Sequence, residues 1–132
     1  MEKIINKFLY LKDLYYKDKF QEINNLDSVH PEDQDFVKNN ITNTIYECIE
    51  VQGEYLVIKA KKYTLRIKPN VIRLILPTSN YKWNEKVFEN SKPTLEARIE
   101  DILWHHKEQK YYYHISINGK RKSRRYSESD FI

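Results

Sequence analysis

The chain has one cysteine, two glycines, four prolines and one methionine among its 132 residues. A lone thiol, Cys48, forms no internal disulfide, which excludes a stapled secreted domain and points to a reducing, cytoplasmic compartment. Two glycines are too few for a phosphate-cradling loop, so nucleotide-binding motifs of that kind are excluded. Long apolar runs are missing too. From Met1 to Phe20 every apolar stretch is broken by Lys or Asp, which fits neither a signal sequence nor a membrane span. Cys48 itself stands in an apolar alternation with Ile45 and Ile49 and reads as core filler, with no positioned base beside it.

What remains is ordinary globular chemistry, 40% hydrophobic and 32% charged, with tyrosine over-represented at 11 residues. A chain of this length closes one core, or one compact domain with a helical preface, without metal or disulfide support. Charge is uneven along it. Met1 to Ile58 carries 6 lysines against 11 acidic residues, whereas Lys59 to Ile132 carries 17 basic against 8 acidic. Such an asymmetry disposes the C-terminal half toward an acidic partner. The plainer alternative is a solvated basic face.

Ile4, Ile5, Phe8, Leu11 and Tyr15 recur at helical spacing, which predicts an amphipathic helix from Glu2 to Ile23. Pro31 with Glu32 and Asp33 suits the first turn of a second, short helix ending near Asn39 and Asn40. From Thr44 the period changes to two. Ile45 to Val51, a Gln52-Gly53 turn and Tyr55 to Ala60 predict a hairpin, followed by a strand over Tyr63, Leu65 and Ile67 and a more buried one from Val71 to Leu76. Pro77 to Asn80 marks a boundary between residues 1–76 and 81–132. Beyond it, Leu95 to His106 and Tyr111 to Ile117 read as strands. Asn118-Gly119 is a tight-turn signal, because a type I′ turn needs positive φ twice.

The order after residue 80, carried by Ala97 to His106, Tyr111 to Lys120 and Arg124 to Asp130, resembles a small SH3-like or Tudor-like β-barrel. It is also similar to the C-terminal module of small bacterial immunity-type proteins, although those aimed at nucleases are acidic and this segment is basic. The expected fold is therefore α+β, with N-terminal helices and antiparallel hairpins followed by an SH3-like barrel. The resemblance implies a role in binding and neutralising a macromolecule.

Chemistry-bearing residues point the same way. His105 and His106 fall on opposite faces of a strand and cannot chelate one ion from one side. With His30 and His114 the only other histidines and no second cysteine, no metal site is expected. The carboxylate pairs Glu32-Asp33 and Glu100-Asp101 lack an accompanying motif, so no catalytic residue is assigned. Tyr111 and Tyr113 share a face with Ile115 and Ile117, which leaves Tyr112 on the outside with His114 and Ser116. An outward tyrosine beside cations is an interface anchor or a stacking platform, the plainer reading being a surface ring that packs its neighbours. Lys120, Arg121, Lys122, Arg124 and Arg125 put five cations in six residues, a density that self-repels unless an anion answers it. They also suit a solubilising edge strand.

The expected binding set is Tyr112, His114, Lys120, Arg121, Lys122, Arg124 and Arg125. The expected function is a non-enzymatic inhibitor with an immunity or anti-CRISPR-like role. Its partner is a protein or nucleoprotein with an acidic surface, with no membrane, no metal and no small-molecule cofactor. The alternative is a nucleic-acid-binding module, RNA preferred, using the same surface.

Overall fold

A computed structural model describes residues 2–40 and 42–132, which divide into two compact units, Met1–Thr78 and Ser79–Ile132. Both are built mainly from antiparallel strands, which corrects the α+β expectation.

The first unit holds β1 (Phe8–Leu11), β2 (Tyr15–Lys17), β3 (Glu22–Asn24), α1 (Gln34–Asn39), β4 (Ile45–Gln52), β5 (Tyr55–Lys59), β6 (Thr64–Ile67) and β7 (Ile72–Leu76). Five of its strands form one sheet in the order β6-β5-β4-β1-β7, and β2 and β3 make a separate hairpin. The predicted N-terminal helix is absent: its apolar positions fall on β1, on the hairpin and on a short 3-10 turn at Glu2–Ile4. The reason is burial. As an inner strand between β4 and β7, β1 buries Phe8, Leu9 and Leu11, so its apolar residues run together without strand alternation. Ile4, Ile5, Phe8 and Leu11 then mimic helical spacing by coincidence. Phe, Tyr and Ile are also strand formers.

The second predicted helix exists in shortened form. His30 caps a 3-10 turn at Pro31–Asp33, its Nδ1 accepting from the Glu32 amide at 3.1 Å, and α1 follows. Val29 and Val37 from this segment pack with Leu9, Tyr46, Cys48, Leu56, Ile58, Leu65 and Ile67 in one buried cluster. Burial pushes the Cys48 thiol up, in keeping with an inert core position. The segment also seals the sheet's β6 edge. Arg66 donates its amide to Asp33 Oδ2 at 3.0 Å, its carbonyl accepts from the His30 amide, and the Lys68 amide donates to the Ser28 carbonyl. β7 is the opposite edge. Leu74 and Ile75 are exposed there, so this strand is less buried than its apolar run predicts.

The second unit is a four-stranded sheet in the order β11-β10-β9-β8, from β8 (Lys86–Glu89), β9 (Lys92–His105), β10 (Lys110–Ile117) and β11 (Lys120–Arg121). It is open: β11 and β8 lie at opposite edges and do not pair. The expected barrel is therefore not closed. β11 stops after two residues, within the run of cations, and is too short to carry a ladder round to β8. The chain instead touches the sheet at single bridges, Tyr126 with Tyr113 and Phe131 with Glu89. Inside lie Val87, Ala97, Ile99, Ile102, Tyr111, Tyr113, Ile115, Tyr126 and Phe131.

The charge asymmetry does not follow these units. Met1–Thr78 has 12 basic and 11 acidic residues and Ser79–Ile132 has 11 and 8, net +1 and +3. The basic excess after Lys59 begins within the first unit. Its Arg66 is already tied to Asp33 and Glu32.

Candidate binding face of the second unit

Two local features place the site. At Asn118 and Gly119, φ is +53° and +78°, the positive pair that a tight type I′ hairpin requires, and Ile117 is thereby paired with Lys120 and Ser116 with Arg121. On β9, His114 faces Asp101 whereas Ile115 faces Ile99, so Glu100 is an extra residue, a β-bulge. Without the bulge, Ile99 and Ile102 would point to opposite faces. With it both are buried, and Asp101, Leu103 and His105 share the outer face with Tyr112 and His114.

On that face Asp101 is the organising carboxylate. Its Oδ2 accepts from Arg121 Nε at 2.9 Å and Nη2 at 2.7 Å, and lies 3.1 Å from His114 Nδ1. Arg121 Nη2 is also 2.7 Å from His114 Nδ1. Further along, Tyr112 donates its hydroxyl to Glu108 Oε2 at 2.6 Å. Arg125 lies over the Tyr112 ring at 4.4 Å and Lys110 at 4.9 Å, and the His105 ring meets it edge-on at 5.7 Å. Cations over an aromatic face are held by the ring quadrupole. The Tyr112 hydrogen bond, followed by Lys110, holds the Glu108 carboxyl below its ordinary range, while Tyr112 and then Glu108 raise Lys110. His105 Nδ1 accepts from the Glu108 amide, which fixes the turn carrying that carboxylate.

Of the residues expected from sequence, Tyr112, His114, Arg121 and Arg125 come together here. Lys120 and Lys122 are exposed around the tight turn, and neither has an ionic partner among the described residues. Arg124 lies elsewhere: its guanidinium reaches Glu89 and Asp130, both at 3.4 Å, and covers the Tyr126 ring at 4.5 Å. It ties the end of β8 to the last turn of the chain.

Asp101, Glu108 and His105 escaped the sequence reading as members of the face. Counting outward from the Lys107 to Gln109 turn would have found them, since that register sets His105 against Lys110 and Asp101 against His114. The described residues contain no cluster of three or more His, Cys, Asp or Glu able to hold a metal. None of the described helices is long and apolar enough to cross a membrane.

A family model described as a family of unknown function (DUF6960) matches residues 15–132, and the chain belongs to that family. No curated protein and no solved structure matches it.

Proposed function

We propose that this family member is a non-catalytic binding protein that inhibits or neutralises a macromolecular partner, an immunity or anti-CRISPR-like role, in a reducing cytoplasmic compartment. The contact is made by the outer face of β9, β10 and β11. One observation carries the reading: Tyr112, His114, Arg121 and Arg125 gather with Asp101 and Glu108 on one outer face beside a tight turn. A tyrosine ring held by Glu108, Lys110 and Arg125 is a pre-ordered anchor, which lowers the entropy lost on binding.

The charge balance favours a protein partner. Asp101 answers Arg121, and Glu108 answers Lys110, so the face is of mixed sign. A phosphate backbone would meet those carboxylates as like charges. The single buried thiol suits a reducing compartment. RNA is kept as a second reading by Lys120 and Lys122, whose charges at the turn are unanswered among the described residues.

The test is capture from the native host with and without nuclease, followed by affinity measurement on the partner recovered. Substituting Tyr112→Ala together with Arg125→Ser should weaken binding more than tenfold, about 1.4 kcal/mol. For a protein partner the salt dependence should be shallow in parent and variant. An affinity falling log-linearly with salt, flattened by roughly 0.7 to 0.9 units per cation removed, would move the assignment to nucleic acid. Unchanged affinity in the double variant removes this face from the site.

A further inference from the structure

Three side chains on the face meet in a way that no single protonation state of His114 satisfies in full. Arg121 Nη2 lies 2.7 Å from Asp101 Oδ2 and also 2.7 Å from His114 Nδ1, while Nδ1 and Oδ2 are 3.1 Å apart. A guanidinium nitrogen donates and never accepts. The Nη2 contact is therefore a hydrogen bond only when Nδ1 is the bare nitrogen of a neutral ring with its proton on Nε2. The contact between Nδ1 and Oδ2 is then one between two acceptors, held because the guanidinium lies against both. A second ring proton turns Nδ1 into a donor. It can donate to the carboxylate, which has lone pairs, but not to Nη2, which has none. Arg121 and a protonated His114 therefore compete for the same oxygen.

We propose that protonation of His114 exchanges the imidazolium for Arg121 on Asp101, and so frees Arg121 to grip a carboxylate of the protein partner. This rests on the reading of the face as the binding surface. Before the exchange the trio is neutral, with Arg121 and Asp101 cancelling. Afterwards it carries one positive charge and an unoccupied planar fork of donors, the geometry that takes a carboxylate bidentately. Exposure differs in the sense required: the His114 side chain is 15% exposed and that of Arg121 53%. The ring stays seated while the guanidinium swings outward. The backbone on either side of Arg121 is held to β10, by the Ser116 and Ile117 pairs and by the Lys122 amide donating to the Ile115 carbonyl at 2.8 Å, so the Arg121 side chain can swing without unzipping the ladder.

The neighbouring charged or titratable groups are Arg98 and Glu100 on β9, Lys120 and Lys122 beside Arg121, and, one step along the face, Tyr112 with Glu108, Lys110, Arg125 and His105. Among the described residues only Asp101 lies within ion-pair distance of the His114 ring. The carboxylate that chooses between the two cations is therefore Asp101.

Nitrogen-resolved NMR of the full chain, without any partner, tests this across a pH series. At the alkaline end the His114 ring should be neutral with its proton on Nε2. The Arg121 Nε–H resonance should then shift with the same midpoint as His114. Its exchange with water should quicken about tenfold or more, as expected for losing charge-assisted bonds. In His114→Gln, which accepts no proton in this range, the Arg121 resonance should not move. A neutral ring protonated on Nδ1, an Arg121 signal indifferent to His114, or an identical Arg121 titration in His114→Gln overturns the proposal. Each leaves the binding reading standing. If the face plays no part in binding, the coupling will appear in the free protein while Tyr112→Ala with Arg125→Ser keeps full affinity.

Discussion

The two units build their interiors from different materials. The first is chiefly aliphatic: Leu9, Leu11, Leu14, Leu56, Ile58, Leu65 and Ile67 fill it, with the Tyr46 hydroxyl against that of Tyr63 at 2.9 Å. Burial first and the Tyr63 contact second push the Tyr46 hydroxyl far above its ordinary range, so it stays protonated. The second is aromatic. Tyr81 stands edge-on to both Tyr113 and Phe131, Trp104 to Tyr111, and Tyr126 stacks on Phe131. Aliphatic burial is non-directional and grows with area. A buried tyrosine adds a polar tip that needs a partner. In the second unit Tyr113 meets that need with Ser79 Oγ at 2.6 Å and Glu128 at 3.3 Å. The first core is held chiefly by volume, with Tyr46 and Tyr63 as its polar exception, and the second by volume and hydrogen bonding together.

The largest expected effect breaks the aliphatic side of this contrast. Leu9 is wholly buried on the inner strand β1. Leu9→Ala should cost about 2–5 kcal/mol, the lost transfer energy plus the cavity left behind. Urea titration followed by resonances of each unit separately checks it. The midpoint reported by Cys48 and Ile58 should fall steeply.

A smaller loss sharpens the aromatic side. Tyr113→Phe keeps the ring and its edge-on contacts but strips partners from Ser79 and Glu128, for an expected loss of about 1–3 kcal/mol. The deficit should appear in resonances of Tyr111 and Phe131. A midpoint equal to the parent's would mean that the hydroxyl contributes nothing and that the second core is held by volume alone.

The same contrast explains what could be read in advance. In the second unit β9 and β10 alternate, because one face is core and the other carries Tyr112 and His114, and alternation is visible in a sequence. The positive-φ turn at Asn118-Gly119 was legible for a local reason, since few residue pairs adopt it. Two things there were hidden. The Glu100 bulge shifts the phase between Ile99 and Ile102, and Arg124 leaves its neighbours to reach Glu89 and Asp130 at the far edge. Both depend on pairing across the sheet. In the first unit β1 is an inner strand, so Phe8 to Leu11 shows no alternation, and a helix could be drawn through it. Local propensity had no means of learning that β4 and β7 would flank it. The expected barrel failed for the same reason: a likeness in strand order does not say whether the last strand is long enough to close.

The smallest expected effect concerns how the first unit's sheet ends. Asp33 seals the β6 edge by accepting from the Arg66 amide at 3.0 Å and from its guanidinium at 3.0 Å through both carboxylate oxygens. Burial alone pushes the Asp33 carboxyl up, but the hydrogen bonds from the Arg66 side chain and backbone outweigh it and hold the group below its ordinary 3.8. The sign follows from linkage. A carboxyl whose pKa is depressed on folding adds stability in full above its unfolded value and loses it as pH falls through the folded one. The first unit should therefore weaken as pH drops from about 4 downward, whereas Asp33→Asn should be weaker than the parent at neutral pH and flatter in that window. Because Glu32 and Arg66 reach solvent, the difference at pH 7 should be modest, about 1 kcal/mol or less. Urea midpoints from pH 7 to pH 2.5 measure it, read on Ile67 for the sealed edge and on Ile115 as a control in the other unit. Parallel pH profiles in parent and variant at Ile67 would show that the backbone bonds from His30 and Lys68 close this edge unaided.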